Sequence, residues 1–352
     1  MPAETDIPRQ APSVTEVAIV VYPSAQLSAI HGWTDLFVLA TAVARVHGSV
    51  RPGSIRVTHW QANAASGAVQ RVFDTGPEAN SEPAYVLVPS SLIEPPGSDV
   101  ATLLGAWLRS RHDVGAVVAS VCLGAFILGE VGLLAGRRAT THWALRQTFA
   151  DRFPTVMIDT DRLIVEDGGV ITAGGLLAWV DLGLNIVTRV LGPSVAVLTA
   201  RYLLFDAAGR EQRNYSNFRP RLQHGDAAVF AVQEHLDGAG SEAISVEEMA
   251  ALARLEPRTF FRRFRRATGL TPIAYYQLVR INRAREILSS TRKTIKNVAW
   301  DVGYADVAAF ARVFRRVTGL SPSDYRRRFG VDGAPAEGEP PRTLLGSGVG
   351  AG

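Results

Sequence analysis

Cysteine is almost absent: Cys122 is the only one in 352 residues. A single thiol excludes an intrachain disulfide framework and any Cys-rich zinc module. The seven histidines are scattered, with no His-Glu-x-x-His or comparable spacing, so neither a metal nor a cofactor is expected. Also missing is a run of about eighteen uncharged apolar residues, which leaves no expectation of a membrane span. Residues 1–13 hold acids and prolines and no apolar stretch, unlike a signal peptide or an anchor. The expectation is a cytoplasmic protein with no membrane partner. Disorder throughout is excluded as well, because 47% of the residues are hydrophobic, enough for two cores in a chain of this length.

Acidic charge is scarce in one stretch. Residues 227–330 hold 18 Lys/Arg against 10 Asp/Glu, whereas 1–226 hold 18 against 20 and 331–352 hold 1 against 3. The positive field therefore sits on one segment, which points to a polyanionic partner for that segment alone.

Short apolar runs alternate with helical periodicity from Val14 onward. Strands are predicted at 17–21, 55–60, 85–88, 114–119, 163–165 and 170–172. Helices are predicted at 28–46, 98–110 (capped by Ser98), 176–191 and 194–206. Continuous apolar strands separated by helices predict a parallel sheet covered on both faces, one α/β domain over 14–206. Residues 207–226 are polar and aperiodic, a linker. Residues 227–330 show helices and no strand. The tail 331–352 cannot bury a core and is expected to be disordered.

The basic segment contains a repeat. Residues 260–272, FFRRFRRATGLTP, and 310–322, FARVFRRVTGLSP, agree at nine of thirteen positions across a 50-residue offset. Each copy reads as a helix pair. Ser245 and Glu248 form a capping box that opens a short helix, and Pro257 suits the first position of the next. Phe260 and Phe264 then share an inward face, leaving Arg258, Phe261, Arg262 and Arg265 outward. Gly269 stops that helix, and Thr271-Pro272 opens another. In the second copy Thr294 and Asp306 cap the two helices, Gly303 lies in the turn, and Ser321-Pro322 opens the last helix. Phe310 and Phe314 point inward, with Ala308, Ala311, Arg312 and Arg315 outward. A short helix, a tight turn and a helix with an exposed basic face is a helix-turn-helix. The joining helix 272–290 spans roughly 27 Å, near the spacing of successive major grooves if the DNA bends or the units tilt.

These residues resemble the AraC/XylS family of bacterial transcription regulators over 227–330. The resemblance rests on Ala250, on Phe260, Phe264, Gly269 and Pro272, and above all on the run from Ile295 through Val298-Ala299, Gly303-Tyr304, Phe310, Arg312, Phe314-Arg315-Arg316, Gly319 and Ser321-Pro322 to Tyr325-Arg326. It implies that 257–267 and 307–317 are recognition helices. Arg258, Phe261 and Arg262 in the first, and Ala308, Ala311 and Arg312 in the second, are then candidates for base edges. Arg265, Arg266, Arg315 and Arg316 are candidates for phosphates. Double-stranded promoter DNA and RNA polymerase are the implied partners, and activation the implied sign.

In the first domain, the strand ending at Ala119 runs into Ser120-Val121-Cys122-Leu123-Gly124-Ala125 and a helix to about Leu134. A nucleophile at a strand-to-helix turn is an elbow. The following N–H groups and helix dipole should favour an anion and lower the thiol pKa. This block, with Thr140–Trp143, Thr172–Gly175 and Asp181, resembles the PfpI-like domains of the class I glutamine amidotransferase-like superfamily, specifically those fused to AraC helices in GlxA-type regulators. The resemblance implies an α/β flavodoxin-like sandwich, a homodimer, and a pocket at the elbow. This sequence departs from the enzymes of that superfamily. Ala29 stands where an acid is expected, and Leu123 replaces the His or Thr that follows the cysteine. His142 remains as a base. The reading is therefore a sensor rather than an enzyme, with no catalytic residues and an effector pocket formed by Cys122, Leu123, His142, Thr172 and Gly174. The resemblance suggests an amino acid or amine as the effector. A Cys122-dependent hydrolase or hydratase, or a Cys122 redox sensor, are the alternatives.

Overall fold

The computed structural model describes residues 14–47, 54–63, 66–77, 82–206, 210–238 and 244–330. The expected leader and the expected disordered tail lie outside these residues. The chain divides into two units, Met1–Gln212 and Arg213–Gly352, so the division falls within the stretch read as a linker.

The first unit is built on a seven-stranded sheet in the order β3-β2-β1-β4-β5-β9-β8. The strands are β1 (Val14–Val21), β2 (Ser54–Ala62), β3 (Val69–Asp74), β4 (Pro83–Val88), β5 (Val117–Val121), β8 (Ile164–Asp167) and β9 (Val170–Ala173). Short strands β6 (Arg138–Ala139) and β7 (Met157–Ile158) form a separate pair. Strands β2, β1, β4, β5 and β9 run parallel, and their central residues are buried, as both-face coverage demands. Helices α1 (Leu27–Val46), α5 (Ala178–Leu191) and α6 (Pro193–Tyr202) pack together, and α2 (Ser98–Asp113) packs with α3 (Gly124–Glu130), while α4 (Arg146–Arg152) follows β6. This is an α/β sandwich around one hydrophobic core.

The sheet is mixed rather than wholly parallel, because both edge strands are antiparallel: β3 on β2 and β8 on β9. Strand β3 has no sequence signature of a strand, because its apolar residues, Val69, Val72 and Phe73, neither alternate nor form a run, as an exposed edge allows. Strand β5 begins at Val117, since Gly115, at φ +97°, turns the chain after α2. Ser98 is the first residue of α2 and Gly97 its cap. Helix α3 ends at Glu130, well before Leu134, because Gly132 turns at φ +79°. By length and composition α1 would suffice to cross a membrane, but Asp35 interrupts it. It lies against β2, α5 and α6 with Ala29, Ile30, Trp33 and Phe37 buried, as a core helix.

The second unit is helical among the described residues: α7 (Ala227–Gly238), α8 (Val246–Leu252), α9 (Pro257–Thr268), α10 (Pro272–Ser290), α11 (Ile295–Asp301), α12 (Val307–Thr318) and α13 (Pro322–Phe329). The caps fall where the sequence puts them. Ser245 and Glu248 make the reciprocal box, and Thr271, Thr294, Asp306 and Ser321 each accept a backbone N–H. Gly269 and Gly319 close α9 and α12 in the left-handed conformation. Two small cores result, one around Phe260, Phe264 and Tyr275, the other around Phe310, Phe314 and Tyr325. Helix α10 serves both, burying Tyr275 and Tyr276 in the first and Ile281, Ala284 and Leu288 in the second.

Candidate functional site

The elbow is built by the end of β5. Cys122 has φ +53°, a strained value for a residue with a side chain, and Leu123 then caps α3. Three contacts hold the turn. Cys122 N–H donates to Ala173 O at 2.6 Å, Thr141 Oγ1 donates to Cys122 O at 2.7 Å, and Leu123 N–H donates to Ser90 Oγ at 3.2 Å. Gly124 permits the approach to β4, because a β-carbon there would meet the carbonyl oxygens of Val88 and Pro89.

The thiol does not have the lowered pKa expected of this turn. The Leu123 N–H is already paired with Ser90, and the Ala125 and Phe126 N–H groups bond to Cys122 O and Leu123 O. The Leu123 N–H is thus shared between Ser90 and the Cys122 sulfur. The Cys122 thiol is pushed up rather than down: burial outweighs the hydrogen bonds from Ser90, Leu123 and Gly175. It is 2% exposed. A seven-residue helix does not compensate for that desolvation.

The rest of the predicted pocket gathers around the same turn. Thr172 is buried and accepts from Thr140 N–H at 2.8 Å. His142 is half-buried and caps a 3-10 turn, its Nδ1 accepting from Ala144 N–H at 3.1 Å. Ala29 is fully buried, and His31 is exposed. Gly174 faces a side chain absent from the sequence reading. Gln212, 2% exposed, fills the space that a Gly174 β-carbon would take. Its Nε2 lies 2.8 Å from Thr140 Oγ1, 2.9 Å from Thr141 O and 3.0 Å from Arg162 O, while its Oε1 accepts from Trp143 N–H at 3.0 Å. A glutamine in a polar, aperiodic stretch carries no local signal of such a role.

Two cavities among the described residues of this unit are lined by none of the five predicted residues. One of about 380 Å³ lies beyond the ends of β1 and β2, between Tyr22, Gln61 and Leu104. The other, of about 420 Å³, is bounded by Arg162, Asp181, Leu184, Ala196, Arg210 and Glu211.

In the second unit the two basic helices present the predicted faces. Arg258, Phe261, Arg262, Arg265 and Arg266 on α9 are exposed, as are Ala308, Arg312, Arg315 and Arg316 on α12, with Ala311 half-buried. Phe260, Phe264, Phe310 and Phe314 are fully buried. The same motif thus turns its phenylalanines inward and its arginines outward twice. Arg263 is spent internally, paired with Asp226 at 2.7 and 2.9 Å. Arg316 also donates to Gln277 at 2.9 Å.

Two family descriptions match the chain. A helix-turn-helix domain matches residues 249–328, and the DJ-1/PfpI family matches residues 84–189. The chain is 28% identical over 307 residues to the HTH-type transcriptional regulator ArgR of Pseudomonas aeruginosa, covering 85% of this chain and 80% of that protein. It is 29% identical over 226 residues to the HTH-type transcriptional regulator GlxA of Rhizobium meliloti, covering 63% of this chain and 69% of that one. A shorter stretch of 103 residues is 37% identical to an isonitrile hydratase of Pseudomonas putida, covering 29% of this chain and 43% of the enzyme. Regulators similar to the chain are spanned over 32% to 80% of their own length.

Proposed function

Because this chain is an AraC-family regulator with an N-terminal DJ-1/PfpI domain and a C-terminal helix-turn-helix domain, we propose that it binds promoter DNA under the control of a small molecule held by the first domain. The observation that carries the DNA-binding half is the duplicated helix-turn-helix, with two exposed arginine faces anchored by the same buried phenylalanines. Arginine grips guanine bidentately in the major groove, and the flanking arginines neutralise phosphates. By this reading α9 and α12 lie in successive grooves, joined by α10, whose nineteen residues span roughly 27 Å.

The regulator acts as a cytoplasmic homodimer, activating transcription together with RNA polymerase. The elbow set of Cys122, Leu123, His142, Thr172 and Gly174 is the effector region. An effector entering at Gly174 must move Gln212, whose neighbours Arg213 and Asn214 begin the second unit. Movement of one residue would thereby reach the DNA-binding half through the chain itself.

The direct experiment selects binding sites from random duplexes with the full-length protein and titrates the winners at two salt concentrations. The expected product is a bipartite site with half-sites about one helical turn apart and a steep salt dependence. Equal affinity for every duplex would refute sequence-specific regulation.

A second reading, a Cys122-dependent hydratase, is favoured by the similarity to the isonitrile hydratase. Against it stand the raised thiol, the occupied Leu123 N–H and the absence of an acid at Ala29. Incubation with an isonitrile, followed by mass spectrometry, separates the two. Addition of water that is lost in Cys122→Ala would establish the enzyme.

A further inference from the structure

The cavity of about 420 Å³ beside α5 and α6 has the size of a small-molecule site. Its floor contains an unusual pair. Asp181, in the first turn of α5, has a carboxylate 93% buried, since only 7% of its side chain is exposed. Its Oδ2 has no hydrogen-bond partner. The nearest cation is Arg210, whose Nη1 lies 3.5 Å from that oxygen, too far for a good hydrogen bond. Arg210 Nε is likewise buried without a partner, and its guanidinium stacks over Phe205 at 4.8 Å. A buried donor and a buried acceptor thus stand unmet side by side, where native interiors satisfy almost all such groups.

The rest of the wall narrows the ligand. Leu184, Ala196 and Val197 supply apolar surface. The second charged pair is engaged internally: Arg162 Nη1 lies 3.4 Å from Glu211 Oε1, and Glu211 Oε2 accepts from Leu163 N–H at 3.0 Å. Two arginines and two acids leave the cavity without net charge. A bare cation placed on Asp181 would meet Arg210, and a bare anion placed on Arg210 would meet Asp181 and Glu211. A molecule carrying both charges meets each with its opposite.

We propose that this cavity binds a small zwitterion of the amino-acid type, its ammonium group on Asp181, its carboxylate on Arg210 and its side chain against Leu184 and Ala196. The inference goes beyond the elbow reading, since it adds a second ligand site in the same unit, lined by none of the elbow residues. The wall of this site includes Arg210 and Glu211, which directly precede Gln212. A ligand held there fixes the segment that carries Gln212. Burial pushes the empty Asp181 carboxyl up to about 6, the behaviour of an anion lacking an adequate partner.

Full-length protein is screened by thermal shift against the standard amino acids. Each compound that raises the melting temperature is retested as its decarboxylated amine and its deaminated acid, and against Asp181→Asn and Arg210→Gln. At large excess over Kd an amino acid is expected to raise the melting temperature by several degrees. The amine and the acid should each bind at least about tenfold more weakly, as should both variants. Hydrogen exchange over 210–212 should slow on binding. A cooperative thermal transition of the unliganded variants, at or above the wild-type temperature, shows that their first unit is folded. A screen with no hits, or wild-type affinity in Asp181→Asn, overturns the site. Affinity lost in Cys122→Ala but kept in Asp181→Asn moves the ligand to the elbow and overturns it too. The regulator reading is tested separately, by unliganded DNA binding: specific binding without any amino-acid response sinks only the site.

Discussion

The side-chain amide of Gln212 sits where a β-carbon on Gly174 would have to go. The two residues are far apart in sequence, yet the absence of a side chain at one makes room for the side chain at the other. The amide then joins backbone groups of Thr141, Trp143 and Arg162 into one network above the elbow.

Gly174→Ala should evict Gln212 and cost the first unit about 1–3 kcal/mol, the usual range for overpacking a filled site. Gln212→Ala should cost a similar amount, about 1–3 kcal/mol, by leaving the Trp143 N–H unmet and a void beside it. In both, Cys122 should react faster with a thiol reagent. Urea unfolding and the rate of thiol labelling check this, and wild-type values for both would refute the plugging role.

The two helix-turn-helix turns put different residue types in the left-handed conformation. Arg254 adopts φ +52° in the first turn, while Gly303 holds φ +77° in the second. A side chain in the left-handed region costs roughly 1–2 kcal/mol relative to glycine. Arg254→Gly should therefore stabilise the second unit by up to about 1 kcal/mol, part of the gain being offset by the freer unfolded chain. Thermal unfolding of the variant reads this directly, and a lower melting temperature would contradict the strain argument.

Arg312 is exposed on α12, with Asp306 its nearest acid at 4.0 Å. If it reads a base, Arg312→Ala should cost about 1–3 kcal/mol on the selected site and relax preference at one position. Arg315→Ala, at a phosphate candidate, should weaken all sequences alike and lower the salt slope by about one. Titrations on a cognate and a scrambled duplex distinguish the two patterns.

The Asp181 carboxyl, raised from 3.8 to about 6, makes a pH prediction. A carboxyl whose folded pKa lies above its unfolded value binds protons more tightly when folded, so stability falls as pH rises from about 4 to 6 and stays lower above that. Burial and the neighbouring His31 hold His59 down at about 4, which removes stability as pH falls through the same window. The wild-type curve therefore mixes the two. The difference between Asp181→Asn and wild type isolates the first: the variant should gain on the order of 1–3 kcal/mol at pH 7 relative to pH 4. A pH-independent difference would mean that Asp181 already has an adequate partner.

Much of the second unit was legible in the sequence because its signals are local. A capping serine and its glutamate stand three residues apart, and the inward phenylalanines four. Their fifty-residue recurrence extends to Tyr275 and Tyr325, which stand edge-on to Phe264 and Phe314 at 5.3 and 5.4 Å. The elbow was legible for the same reason: strand, cysteine and small residues are consecutive. Edge strand β3 was not, since it buries little and an edge needs no apolar run; β8 was read as a strand, but its antiparallel direction was not.

By itself, then, the sequence determined the principal strands and helices, the duplicated helix-turn-helix, the outward arginines and the position of Cys122, because short-range periodicity and capping specify these within a few residues. The state of the elbow was decided only by tertiary structure. Ser90 takes the Leu123 N–H from 33 positions away, and Gln212 reaches Thr140 across 72. Burial from all sides raises the thiol that the local helix was expected to lower. The unmet pair of Asp181 and Arg210 belongs to the same class, since desolvation depends on everything packed around a group and on nothing written beside it in the chain.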